Sequence, residues 1–200
     1  MTDMREDYVE ALRGAVDAAR RARRAVVVHH DDADGLAAGA ISLRAAELLG
    51  IESRAVCIEK MHPAIVKMIH GIDADLFIYA DIGSSRADLV AEAVREGQMV
   101  IVLDHHDPAE VSRREILHLN PELYGYEGES EASGSTAAYM FLRAVDEGAA
   151  KGIAWAAVVG SAEIPGPLRG LNAEALRGAG AGGGVLPRCH IGRGRRKERA

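Results

Sequence analysis

Three short stretches concentrate side chains able to take up protons or metal. Val26-Val27-Val28-His29-His30-Asp31-Asp32-Ala33-Asp34-Gly35 places two imidazoles and three carboxylates behind a β-branched run. Asp81-Ile82-Gly83 follows the apolar run Leu76 to Ala80, and Asp104-His105-His106-Asp107-Pro108 follows Met99 to Leu103. Three Asp side chains so close together each raise the others' cost of ionisation, and a divalent cation is the usual relief. His30, Asp32 and Asp34 alternate, so in extended backbone all three point to one side, an arrangement that favours His30 over His29. Mixed carboxylate and imidazole donors suit Mn²⁺, Mg²⁺ or Fe²⁺, and the lack of thiolates argues against structural zinc. Asp81 stands where a carboxylate could bridge two ions. In the third stretch one imidazole can ligate metal while its neighbour faces substrate, with Asp104 fixing a tautomer through the other ring nitrogen. Two clusters with complementary donors suggest two metals about 3.5 to 4 Å apart, a pair that activates water for attack on phosphorus. The plainer alternative is an acidic loop that caps a helix, with Asp34 as the cap.

The elements that must position these residues alternate between strand and helix. A helical pattern of Tyr8, Val9, Leu12, Ala15, Val16 and Ala19 occupies Met4 to Arg24 and defines an N-terminal helix within residues 1–25. Strands are expected at Val26 to His29, Ser53 to Ile58, Leu76 to Ala80, Met99 to Leu103 and Glu115 to Leu119. Helices are expected at Leu36 to Leu49, Pro63 to His70, Arg86 to Arg95, Ser133 to Glu147 and Lys151 to Gly160, the last apolar nearly all round and therefore buried. Strand and helix alternating at this interval build βαβ units, so the fold class is α/β: a parallel sheet of about five strands flanked by helices, followed by a helical segment. In open parallel sheets the ligand lies beyond the carboxyl ends of the strands, where all three clusters fall. Asn120 to Glu131 reads as a polar loop. From 177 to 200 the periodicity fails, with Gly178 to Gly184 made only of Gly and Ala and a basic end carrying Arg193, Arg195, Arg196 and Lys197; this tail is expected to be disordered or truncated.

His30-x-Asp32-x-Asp34-Gly35, Asp81-Ile82-Gly83 and Asp104-His105-His106-x-Pro108 together resemble the first three motifs of the DHH phosphoesterases, most closely the archaeal RecJ-like nucleases. The resemblance runs from about Val26 to Asn172, so residues 26–176 are taken as the phosphoesterase domain. It implies two Mn²⁺ or Mg²⁺ ions held by His30, Asp32, Asp34, Asp81 and His105, with Asp81 bridging and His106 contacting the phosphate. It also implies a phosphodiester substrate, single-stranded DNA or RNA or a short oligonucleotide, and replication or repair proteins as partners. Two departures stand out. Where the family places a fourth-motif Asp this chain reads Val159-Gly160-Ser161-Ala162-Glu163, and the family's C-terminal substrate-binding domain is expected to be missing. The rival readings are therefore a catalytically weak replication-associated scaffold, or a small-nucleotide phosphatase, cyclic-dinucleotide phosphodiesterase or pyrophosphatase.

Composition sets outer limits. The 200 residues are 48% hydrophobic and only 4% aromatic, so the core is expected to rest on Ala, Val, Leu and Ile. A net charge of −6 argues against a protein that coats nucleic acid by charge alone, without excluding a nucleic-acid enzyme. Cys57 and Cys189 form no disulfide framework, and no apolar segment approaches a membrane span, so the expected compartment is cytoplasmic. Ser133, at a helix N-terminus, and Arg169 are expected phosphate contacts, against the simpler readings of a cap and a solvated charge, whereas Lys60 is read first as a solvated charge. His62, His70 and His118 show no partner pattern.

Overall fold

The computed structural model describes residues 4–181. Its centre is a five-stranded, wholly parallel sheet in the order β2-β1-β3-β4-β5. The strands are β1 (Arg24–His29), β2 (Glu52–Cys57), β3 (Leu76–Ala80), β4 (Met99–Leu103) and β5 (Ile116–His118). The helices are α1 (Glu6–Ala19), α2 (Ala33–Leu48), α3 (Pro63–Ile69), α4 (Ala87–Ala93), α5 (Gly134–Val145), α6 (Glu147–Gly160) and α7 (Gly170–Ala181). The fold class read from the sequence therefore stands.

The central strands are apolar on both faces because helices cover both. Ala25, Val27, Leu76, Ile78, Ile101 and Leu103 point into one core, shared with α1, α2, α5, α6 and α7. The intervening Val26, Val28, Phe77, Tyr79, Val100 and Val102 point into the other, under α3 and α4. The core rests mainly on Ala, Val, Leu and Ile as expected, and the few aromatics are not peripheral: Tyr8, Tyr79, Tyr139, Phe77 and Phe141 are among the largest fully buried side chains.

Three local expectations are corrected. Helix α2 begins at Ala33, not Leu36, because the Asp32 carboxylate accepts the Gly35 N–H at 2.8 Å and caps it; the cap is Asp32, with Asp34 inside the first turn. Backbone alternation from His30 to Asp34 thus does not exist. Helix α6 starts four residues earlier than Lys151, capped by Asp146, and is buried on one side only: Trp155 and Val159 are exposed. Helix α7 continues through Ala181, past the expected boundary at 176, burying Leu171, Asn172, Ala175 and Ala179. Gly178 there is a packing residue, since a Cβ would lie 2.1 Å from the Tyr139 hydroxyl of α5. The rest of the expected tail lies outside the described residues.

Candidate metal centre

Register brings the three motifs together. His29 pairs with Ala80, and Ala80 with Leu103, so β1, β3 and β4 end level. The next residue of each strand is His30, Asp81 and Asp104. Strand order reverses between β1 and β3, the crevice where open parallel sheets bind ligands.

Asp81 is the hub. Its φ of +60° is left-handed, a conformation that costs a non-glycine residue about 1–3 kcal/mol and swings the side chain out of line with β3. Its N–H still bonds the Leu103 carbonyl at 2.8 Å, anchoring the bend to β4. The carboxyl is 2% exposed and its Oδ1 has no hydrogen-bond partner. Burial first, then the Asp34, Asp104 and Asp32 carboxylates, push its pKa up to about 11. A buried carboxylate among three others, with an orphaned oxygen, fits a site that takes a divalent cation, because a bound cation reverses that repulsion.

Two triads share it. His30, Asp32 and Asp81 form one group, and Asp81, His105 and His106 the other; in each, the potential ligand atoms lie within 4.8 Å of one another. His30 Nδ1 is 2.5 Å from Asp32 Oδ2 and 3.9 Å from Asp81 Oδ2. Burial raises the Asp32 pKa, but hydrogen bonds from the Gly35 N–H and His30 outweigh it and hold the carboxyl below its ordinary range. His105 donates from Nδ1 to the Gly128 carbonyl at 2.9 Å, which turns Nε2 toward Asp81 Oδ1, 3.5 Å away.

Asp34 belongs to the cluster but has a second task. Its two oxygens accept the Gly134 and Ser135 N–H groups at 2.7 and 3.0 Å, tying the start of α5 to α2, while Oδ2 lies 3.9 Å from His105 Nε2. The approach is so close that a Cβ on Gly134 would fall 2.3 Å from Asp81 Oδ1, and one on Gly160 would fall 2.5 Å from Asp34 Oδ1. Neither glycine carried a signal in the sequence beyond its helix-end position.

Asp104 is fully buried and positions its neighbours. Its Oδ1 accepts from the His105 N–H and from His106 Nδ1, both at 2.7 Å, and its Oδ2 accepts the Ser84 N–H at 2.7 Å. Burial raises its pKa, yet the His106 bond, that residue's charge and the Ser84 N–H win and lower it. The same bond to Asp104 raises the half-exposed His106 to about 9. His29 stays outside both triads, its Nδ1 turned to the His30 carbonyl.

Ser133 and Arg169 are not drawn into this cluster. Ser133 is buried in a capping box with Thr136, spent on its own helix, and Arg169 sits exposed just before α7. At the fourth-motif position Ser161 is buried with its hydroxyl donated to the Val158 carbonyl, and Glu163 is exposed; neither enters a metal-ligating group among the described residues. Lys60 does line the mouth, a cavity of about 300 Å³ that also contacts Met61, Ile82, Arg86 and His106.

Sheet and cluster together define an α/β domain whose carboxylates and imidazoles suit a divalent metal, the kind of centre used in phosphoryl chemistry. The chain belongs to the DHH family: residues 24–160 match that family's N-terminal domain. An uncharacterised protein of Methanocaldococcus jannaschii is 26% identical over 152 residues, covering 73% of this chain and 34% of that protein. A Bacillus subtilis protein named as an SPbeta prophage-derived single-strand DNA-specific exonuclease, assigned by name only, is 35% identical over 75 residues, 38% of this chain and 13% of its own. The crystal structure of exonuclease RecJ bound to manganese superposes with a TM-score of 0.69 at 26% identity, over 87% of this chain and 47% of that one. This chain thus spans less than half of each of these proteins. Fold and family support a metal-dependent phosphoesterase. No helix among the described residues is long and apolar enough to cross a membrane.

Proposed function

We propose that this domain hydrolyses phosphodiester bonds with two divalent cations, Mn²⁺ or Mg²⁺, and that its favoured substrate is single-stranded nucleic acid or a short oligonucleotide. The observation that carries the proposal is Asp81, buried, with an orphaned oxygen and shared by two three-residue groups. His30, Asp32, Asp34, Asp81 and His105 would hold the ions, with Asp81 shared between the two groups and Asp34 beside His105. Bound there, the ions supply Lewis acidity and a means of activating water at neutral pH. Asp104 aims His106 at the mouth, where the imidazolium meets a phosphate oxygen. Lys60 and Arg86 add positive charge to the same cavity, whose Met61 and Ile82 offer apolar contact to a base. The nuclease names of the relatives support the choice of substrate class.

One observation favours a second reading, a catalytically weak scaffold: the fourth-motif position brings no carboxylate to the cluster. Calorimetry separates the two readings, since two tightly held Mn²⁺ per chain support the enzyme and one or none supports the scaffold. The direct test is Mn²⁺-dependent hydrolysis of single-stranded DNA, RNA, a dinucleotide and pyrophosphate by the wild type and by Asp81→Ala. Activity surviving Asp81→Ala would refute the bridging role.

A further inference from the structure

His106 lies on the loop after β4 with its side chain 47% exposed, yet it must keep one orientation if it is to meet substrate. Loops of this kind are mobile unless something holds them. Three residues that the sequence left unassigned, or read as turn and loop, do so. Ser84 bonds the loop at both ends: its N–H donates to Asp104, and its carbonyl accepts the Ala109 N–H at 2.9 Å. Asn120, fully buried two residues past β5, bonds the middle, donating from Nδ2 to the His106 carbonyl at 2.6 Å and to Ser84 Oγ at 2.9 Å. Its Oδ1 accepts the Glu122 N–H at 2.9 Å, so the amide is fully spent. An amide nitrogen only donates. Ser84 Oγ therefore accepts from Asn120 and is also hydrogen-bonded to His118 Nε2, 2.7 Å away.

We infer that Asn120, Ser84 and His118 form a hydrogen-bond chain that holds the Asp104–Ala109 loop, and with it the His106 imidazole, in place over the metal centre. They are positioning residues: none belongs to the metal-ligating triads, and each acts through the loop. The inference rests on the reading of His106 as a substrate-facing group. Loss of outer partners of this kind costs about 10–100-fold in metal affinity or activity.

The test needs no substrate. Ring-nitrogen NMR of His106 and Mn²⁺ titration are compared for the wild type, Asn120→Leu, Ser84→Ala and the pair His118→Leu and His118→Gln. The expected result is displaced His106 resonances and Mn²⁺ affinity weakened about tenfold or more in Asn120→Leu, Ser84→Ala and His118→Leu. His118→Gln, whose side-chain amide can pair with the Ser84 hydroxyl as acceptor or as donor, stays near wild type. Ser84→Ala keeps both main-chain bonds and so decides the matter if Asn120→Leu does not fold. His106 resonances and Mn²⁺ affinity within twofold of wild type in Ser84→Ala would overturn the inference. If the wild type binds no Mn²⁺, the metal reading fails while the resonances still test the chain of bonds.

Discussion

At the scale of single residues the site is defined by what Asp81 lacks. A carboxyl with one oxygen unpartnered and three like-charged neighbours is destabilising without a cation, so metal and fold are thermodynamically linked. Mn²⁺ at a hundred times its dissociation constant should stabilise the wild type by about 2.7 kcal/mol per site, seen as a rise in the thermal midpoint that excess chelator reverses. Asp81→Asn should remove that rise and the hydrolysis together while leaving the metal-free chain at least as stable, because an amide relieves the repulsion and Asn tolerates positive φ. A metal-free Asp81→Asn that unfolds well before the wild type would contradict this account. Gly134→Ala should also damage the site: its Cβ collides with Asp81, and overpacking of this kind costs about 1–3 kcal/mol. Gly14→Ala, where a Cβ meets nothing within 4 Å, should instead gain about 0.5–1 kcal/mol through helix propensity. Urea unfolding of the two variants checks the opposite signs.

At the scale of elements, the same contrast tests α7. Helix propensity alone says Gly178→Ala stabilises by about 1 kcal/mol, but the close approach to Tyr139 predicts a net loss, read as a lowered urea midpoint. Packing of this sort is what the sequence could not display. The strands β3 and β4 are readable to the residue because apolar runs between polar punctuation need no tertiary information. Helix α7 is not, since its Gly and Ala composition looks like a linker until α5 and α6 are there to receive it. That His30, Asp32, Asp34, Asp81 and His105 gather in one place is legible from their type and their position after strands, although backbone alternation is not what brings His30, Asp32 and Asp34 there. They converge through a helix cap and a first-turn carboxylate, which alternation does not describe. Asn120 as a partner of His106, and Ser84 as a partner of Asn120, are invisible in the sequence because their bonds span 14 and 36 residues.

At the scale of the whole molecule, the two cores on either side of the sheet respond to different variables. The α2 and α5 side carries the metal-linked carboxylates, whereas the α3 and α4 side buries a histidine well away from them. His70 donates from Nδ1 to Gln98 at 2.9 Å, accepts from the Tyr79 hydroxyl at 3.1 Å and stacks on Phe77, so the fold selects the neutral imidazole. Burial lowers its pKa below the ordinary 6.5, the charge of Arg95 adding to this and the Gln98 bond opposing it. A histidine depressed in the folded state contributes stability that is complete above the unfolded value and is lost as pH falls from about 6.5 through the folded value, because only the unfolded chain takes up the proton there. In chelator, to keep metal linkage out, the His70 contribution to urea stability should therefore fall between pH 7.5 and 5.5, against the opposite contributions of Asp81 and His106, whose raised values make the folded chain hold protons that the unfolded chain has released or releases there. His118 is lowered by burial too and contributes in the same window, so the diagnostic is a difference. His70→Leu costs the Gln98 and Tyr79 bonds at every pH, which displaces the stability curve downward, but the gap between it and the wild type should narrow as pH falls from 6.5 to 5.5. Parallel curves would mean that His70 takes up its proton equally in both states, and that the second core contributes nothing to acid sensitivity.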